Sequence, residues 1–137
     1  MALYNWFVVG TGKLAPIGWH IPSNAELDTL IYYLGGDTVA GGKMKTKGTI
    51  EAGTGLWNAP NTGATNESGF SAIPVCYRGW SGSFIHSGEE DVWWMITESI
   101  YPDNAFYWFT NWWRNSCDIN YIGTLLPGNS IRCIKDN

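Results

Sequence analysis

Thirteen of the 21 aromatic residues lie between Tyr77 and Tyr121, six of the nine Trp among them. Gly, Ser, Asn and Asp cut this stretch into short lengths. Aromatic and β-branched runs bounded by turn formers read as strands. Small sheets of short strands are therefore expected in the second half, at 72–78, 91–97, 105–111 and 130–134. Trp, Tyr and Arg also dominate binding hot spots, and Tyr and Trp give large contact area at low entropic cost. A recognition surface is the first functional expectation, ahead of an active site.

The one clear helix signal comes earlier. Ser23 and Glu26 form an S-x-x-E capping box. Leu27, Leu30, Ile31 and Leu34 follow at i, i+3, i+4 and i+7, one apolar stripe facing a core. Gly35-Gly36 supplies the stop, so a helix is expected over 24–34. Residues 37–45 are expected to form a shorter helix weakened by Gly41-Gly42. Residues 3–9 read as a first strand, stopped by Gly10-Thr11-Gly12, and Trp19-His20-Ile21-Pro22 as a short extended lead-in. Residues 48–69 read as a long loop anchored by Leu56 and Trp57. Helix early and strands late implies an α+β fold, and the length implies one domain over 1–137. The helix stripe, Trp19 and Trp57 are the expected core.

Only 15% of the residues are charged, which argues against disorder. The net charge of −4 argues against nucleic acid as a partner, since a basic patch is wanting. The apolar runs are too short to span a bilayer, so no direct membrane insertion is expected. The chain begins without a basic n-region or apolar h-region, so no signal peptide is read in it. Cys76, Cys117 and Cys133 allow at most one disulfide and match no zinc spacing. Buried small apolar side chains are the plain reading of all three.

A family resemblance rests on an ordered set of short motifs. These are Leu3-Tyr4-Asn5-Trp6, Gly12-Lys13-Leu14-Ala15-Pro16, Gly18-Trp19-His20-Ile21-Pro22-Ser23, Tyr33-Leu34-Gly35-Gly36 and Ala40-Gly41-Gly42-Lys43-Met44-Lys45. Trp57-Asn58, Asn66-Glu67-Ser68-Gly69-Phe70-Ser71-Ala72, Tyr77-Arg78, Gly82-Ser83-Phe84, Trp93-Trp94, Thr97-Glu98 and Ser130-Ile131-Arg132-Cys133 follow. Over nearly its whole length the chain resembles the Fibrobacter succinogenes major paralogous domain family. The resemblance implies a C-type-lectin-like fold, with one or two helices packed on small antiparallel sheets. It also implies kinship with the formylglycine-generating enzyme and with variable proteins diversified by retroelements. Members of the family are typically surface or secreted proteins, and some are phage-borne. An extracellular, cell-surface or phage-particle location is therefore expected, with a protein or carbohydrate ligand on a cell surface as partner.

The departures from the family pattern collect in one segment, as a diversified binding face would show; ordinary drift gives the same picture. They define the candidate ligand-binding residues, with their neighbours. These are Trp80, Ile85, His86, Glu89, Glu90, Asp91, Met95, Ile96, Tyr101, Trp108, Trp112, Trp113, Arg114, Asn115, Cys117, Asp118, Tyr121 and Ile122. At least one ring of Trp112-Trp113 is expected to be exposed, and Trp80, His86, Trp112, Arg114 and Tyr121 to share one face. Trp93-Trp94 sits in a strand whose alternation sends the rings to opposite sides. His20 is read as structural, bonding nearby backbone. Three consecutive carboxylates on a strand do not all reach one ion, and the E-P-N, Q-P-D and W-N-D signatures of calcium-dependent lectins are missing. Hence no metal and no cofactor is expected. The reading is a non-catalytic binding domain. Alternatives are an enzyme or enzyme remnant of the formylglycine-generating type, whose cysteine spacing Cys117 and Cys133 do not reproduce, and a structural adhesion module.

Overall fold

Helix α2 (Asn24–Tyr33) forms where both its ends are signalled. The Ser23 side chain accepts from the Glu26 amide, and Glu26 Oε2 accepts from the Ser23 amide at 2.9 Å, closing the capping box. At the other end the Gly36 amide donates to the Ile31 carbonyl and the Gly35 amide to that of Tyr32, a Schellman closure. Both glycines sit at positive φ, 98° and 99°. Leu27, Ile31 and Leu34 are buried, and Leu30 is half-buried at the edge of the stripe.

The computed structural model describes residues 2–136. Its elements in order are α1 (Trp6–Val9), β1 (Trp19–His20), α2, α3 (Asp37–Met44), β2 (Tyr77–Arg78), β3 (Phe84–Ile85), β4 (Glu90–Glu98), β5 (Asn104–Asn111), β6 (Cys117–Thr124) and β7 (Ile134–Lys135). The architecture is mixed α+β with small antiparallel sheets: β4-β5-β6, the β2–β3 pair, and β1 with β7.

Several expectations are corrected. Residues 3–9 are not a strand. The Asn5 side chain caps a single helical turn, accepting from the Val8 amide at 3.2 Å. Trp6 and Val9 point inward while Phe7 and Val8 face solvent, a helical spacing. The expected strand at 72–78 shrinks to β2, and that at 130–134 to β7, with Ser130 bridging Trp93. Strand β6, not foreseen, completes the main sheet. Trp19 is 44% exposed instead of buried, and Leu56 is exposed, so Trp57 alone of that pair anchors the long loop. The Trp57 indole donates to Thr46 Oγ1 at 3.1 Å and to the Ala72 carbonyl at 3.2 Å.

Gly41 and Gly42 do not merely weaken α3. A Cβ on Gly41 would collide with the Ser116 carbonyl, and one on Gly42 with Asn115 Oδ1 and the Gly63 carbonyl. The helix needs both glycines to lie against the β5–β6 connection, and the Gly42 amide donates to the Asn115 carbonyl at 2.8 Å.

Two apolar clusters flank the main sheet. One joins Leu27, Ile31, Leu34, Met44 and Trp57 to Trp93, Met95, Trp108 and Cys117. The other joins Trp6, Val9 and Ile21 to Trp94 and Ala105. Trp93 and Trp94 therefore go to opposite faces, as alternation requires, but each face is covered and both rings are structural. Trp93 stacks on Trp108 with centroids 4.2 Å apart.

His20 bonds carboxylates and not backbone. Its Nδ1 lies 2.6 Å from Asp136 Oδ1 and its Nε2 lies 2.7 Å from Glu26 Oε1, tying β1 to α2 and to the chain after β7. Asp136 first and Glu26 second raise the imidazole pKa above 6.5. The Ser23 amide, before the Ser23 hydroxyl and His20, lowers that of Glu26 below 4.5. A raised histidine stabilises fully below its unfolded value and loses this as pH climbs through the folded one. A lowered carboxylate stabilises above its unfolded value and loses this as pH falls. The melting-temperature deficit of His20→Gln is expected to be greatest at about pH 5.5 and to shrink by about pH 9. A deficit independent of pH would contradict the ion-pair account.

Candidate functional site

The alternation of β5 builds the site. Phe106 and Trp108 pack toward the first cluster, which leaves Tyr107 and Phe109 on the opposite face of the sheet. Register places Trp94 beside Tyr107, Tyr107 beside Tyr121, and Phe109 beside Asp118. The rings touch in sequence: Trp94 to Tyr107 at 6.0 Å, Tyr107 to Tyr121 at 5.8 Å and Phe109 to Tyr121 at 5.1 Å. The β2–β3 hairpin stands over this aromatic floor and adds Tyr77, Trp80 and Ile85. Between hairpin and sheet lies an open groove of about 440 Å³.

Among the described residues, Glu90, at the start of β4, is the one carboxylate lining the groove, and no Lys, Arg or His lines it. It is half-buried. Burial raises its carboxyl pKa; Glu89 and Asp118 add to the rise and His86 opposes it. Burial, then Glu90, also raises the Tyr77 phenol. Burial raises that of Tyr107, ahead of Tyr121, Glu90 and Tyr77. Both phenols are therefore protonated donors at neutral pH.

Of the candidate residues, Trp80, Ile85, Glu90 and Tyr121 meet in the groove. Trp80 is 85% exposed, an unusual state for a Trp. His86 stands at the rim, stacked on Tyr77 at 5.8 Å and bonded to Glu89 at 2.6 Å. Arg114 lies over the ring of Trp113, 4.0 Å from its centroid, and 3.5 Å from Asp118 Oδ1. Trp113 is half exposed, as expected of at least one ring in that pair, though Arg114 covers one side of it. Trp112 instead packs on the first cluster. The five-residue face thus reduces to Trp80 and Tyr121, with His86 at the rim, while Arg114 is engaged with Trp113 and Asp118 outside the groove lining.

Other candidates leave the face. Met95, Trp108 and Cys117 are in the first cluster, because their strand positions point at the helices. Asp91 is buried and its Oδ2 accepts from the Ile73 amide at 3.1 Å. Burial pushes its carboxyl pKa well up. Asn115 packs on Gly42 and Gly63 as part of the scaffold. Ile96 packs against the second cluster. Tyr101 is exposed on the β4–β5 connection, and Ile122, paired with Phe106, faces away from Tyr121. The sequence reading missed Tyr77, Tyr107 and Phe109. The i, i+2 spacing of Tyr107 and Phe109, read against Trp108, carries the signal that finds two of them.

Cys76, Cys117 and Cys133 are free thiols. Among the described residues no group of three or more His, Cys, Asp or Glu is placed to hold a metal ion. No described helix is long and apolar enough to cross a membrane.

Fold and site together define a small α+β protein with an aromatic groove on one face of its main sheet. The chain belongs to the Fibrobacter succinogenes major domain family, whose model matches residues 1–135. The family is one of unknown function. No curated protein and no solved structure matches the chain.

Proposed function

We propose that this chain is a non-catalytic ligand-binding domain of C-type-lectin-like fold, and that the groove between the β2–β3 hairpin and the main sheet is its recognition site. The observation that carries the reading is the exposed Trp80 ring opposite a floor of Tyr107, Phe109 and Tyr121. Specific ligand sites are concave, largely apolar, and a few hundred Å³ or more in volume. A large aromatic left in water is tolerated where a partner covers it. Display on a cell surface or phage particle, facing a protein or carbohydrate partner, suits such a groove. Retroelement diversification suits departures from the family pattern that line the groove at Trp80, Ile85 and Glu90, although those at Asp91, Met95 and Cys117 are buried.

The thiol-enzyme alternative is disfavoured by packing. Cys117 and Cys133 contact different clusters, and burial pushes the Cys117 thiol well above its ordinary pKa. A reactive cysteine needs the opposite shift.

The test does not require knowing the ligand. In ¹H–¹⁵N spectra recorded against a library of small organic fragments, the hits are expected to concentrate their shifts on the Trp80 indole, β5 and β6. Hits concentrated instead on the groove lined by Leu30, Phe70 and Trp108 would move the site there and overturn the proposal.

Calcium is expected to be dispensable for folding and binding. Glu89 turns to His86, Glu90 to the groove and Asp91 to the core. Equal melting temperatures in EDTA and in millimolar calcium are the expected result. A large upward shift on adding calcium would contradict it.

A further inference from the structure

We propose that the groove recognises an organic cation, with the ammonium head of the ligand seated between the aromatic floor and the carboxylate of Glu90. The inference rests on the binding-groove reading and names the chemistry of its ligand.

The charges around the site are unevenly matched. Glu89 has His86 as partner at 2.6 Å, and Asp118 has Arg114 at 3.5 Å. Among the described residues, Glu90 has neither a hydrogen bond nor an ion pair to its side chain. It is nonetheless half-buried; His86, which is bonded to Glu89, acts on it favourably from a distance, and two further carboxylates act against it. A desolvated carboxylate with no cation in direct contact is costly, and a bound cation offsets that cost directly. The aromatic rings add to this. A ring face is the negative pole of its quadrupole and attracts ammonium groups, most strongly when the site is sheltered from water. Trp80, Tyr107, Phe109 and Tyr121 supply such rings within one groove, and its lining holds no positive side chain to compete.

The polar inventory favours a cation over a sugar. A sugar needs several directional donors and acceptors around its ring. Here the side chains offering them, besides the phenols and the Trp80 indole N–H, are Glu90, Thr124 and the buried Asn129. The groove exceeds a trimethylammonium group in volume, so the ligand carries a further apolar body along the floor.

The experiment titrates the whole chain with three probes, followed by the Trp80 indole where present and by the backbone amides of β5 and β6: choline, its neutral carbon isostere 3,3-dimethylbutan-1-ol, and methyl α-glucoside. Choline is expected to bind at least roughly tenfold more tightly than the isostere, a gap within the range of a sheltered cation–π site. Glu90→Gln is expected to lose most of that gap while its melting temperature stays near that of the parent. Trp80→Ser, altering an exposed ring, is the second variant and is expected to weaken choline without unfolding. Equal binding of choline and isostere, or failure of choline to saturate by about 10 mM, would overturn the cation proposal. So would an undiminished preference in Glu90→Gln. If the isostere or the glucoside moves the groove resonances while choline does not, the binding groove stands and the cation falls. If no probe moves the groove resonances and fragment hits concentrate elsewhere instead, both fall.

Discussion

Lys45→Met is expected to cost roughly 3 kcal/mol or more, because one buried ammonium holds three segments together. Lys45 is wholly buried. Its Nζ donates to the carbonyls of Thr62 at 2.9 Å, Asn111 at 2.8 Å and Arg114 at 2.8 Å, above the Trp57 ring. All three protons of the ammonium are used. Burial lowers its pKa to about 8, so the group is charged at neutral pH. Methionine fills similar space but leaves three carbonyls without this donor, and each unsatisfied buried acceptor costs about 1–3 kcal/mol. Relief from burying a charge offsets part of the loss. In urea melts the midpoint should fall sharply with an unchanged slope. A loss below about 1 kcal/mol would mean that water or neighbouring amides replace the ammonium.

Trp108→Ala is expected to cost about 3–5 kcal/mol, the range for emptying a large aromatic site. Its ring is stacked on Trp93 and meets Phe70 edge-on at 5.6 Å. Truncation opens a void between the sheet and α2 that rigid neighbours cannot close. Trp80→Ser provides the contrast. An exposed side chain with no core contacts should change stability by about 0.5 kcal/mol or less. The two tryptophans lie in one aromatic segment, and their stabilities should differ by several kcal/mol on this account. Equal costs in the same melts would refute the division into core and recognition face.

That division was only partly legible in the sequence. Helix α2 was, because the capping box, the apolar stripe and the Gly pair all agree locally. The turn at Trp6–Val9 was not, since four apolar residues fit either period and the Asn5 cap is one short signal. Gly41 and Gly42 looked like weak helix formers because propensity is blind to the backbone of residues 115 and 116 pressed against them. Trp80 and Tyr121 were recognisable by type and by their position among departures from the family pattern. Trp108 and Cys117 were misplaced because they point at the helices from β5 and β6, and Asp91 and Met95 for a different physical reason. Residues 91–95 are buried in succession, so β4 is covered on both faces and shows no polar alternation to mark its outer side. The Lys45 contacts join residues 17, 66 and 69 positions apart, beyond any local pattern.

The central claim is that the groove between the β2–β3 hairpin and the main sheet is where this protein meets its ligand. The most direct measurement compares fragment-induced ¹H–¹⁵N shifts in the parent and in the Trp80→Ser, Tyr121→Ser double variant, both verified as folded by their melting curves. The account predicts that the groove-directed hits of the parent disappear in the variant while its melting temperature is nearly unchanged. Hits that persist unchanged in the folded variant would contradict it.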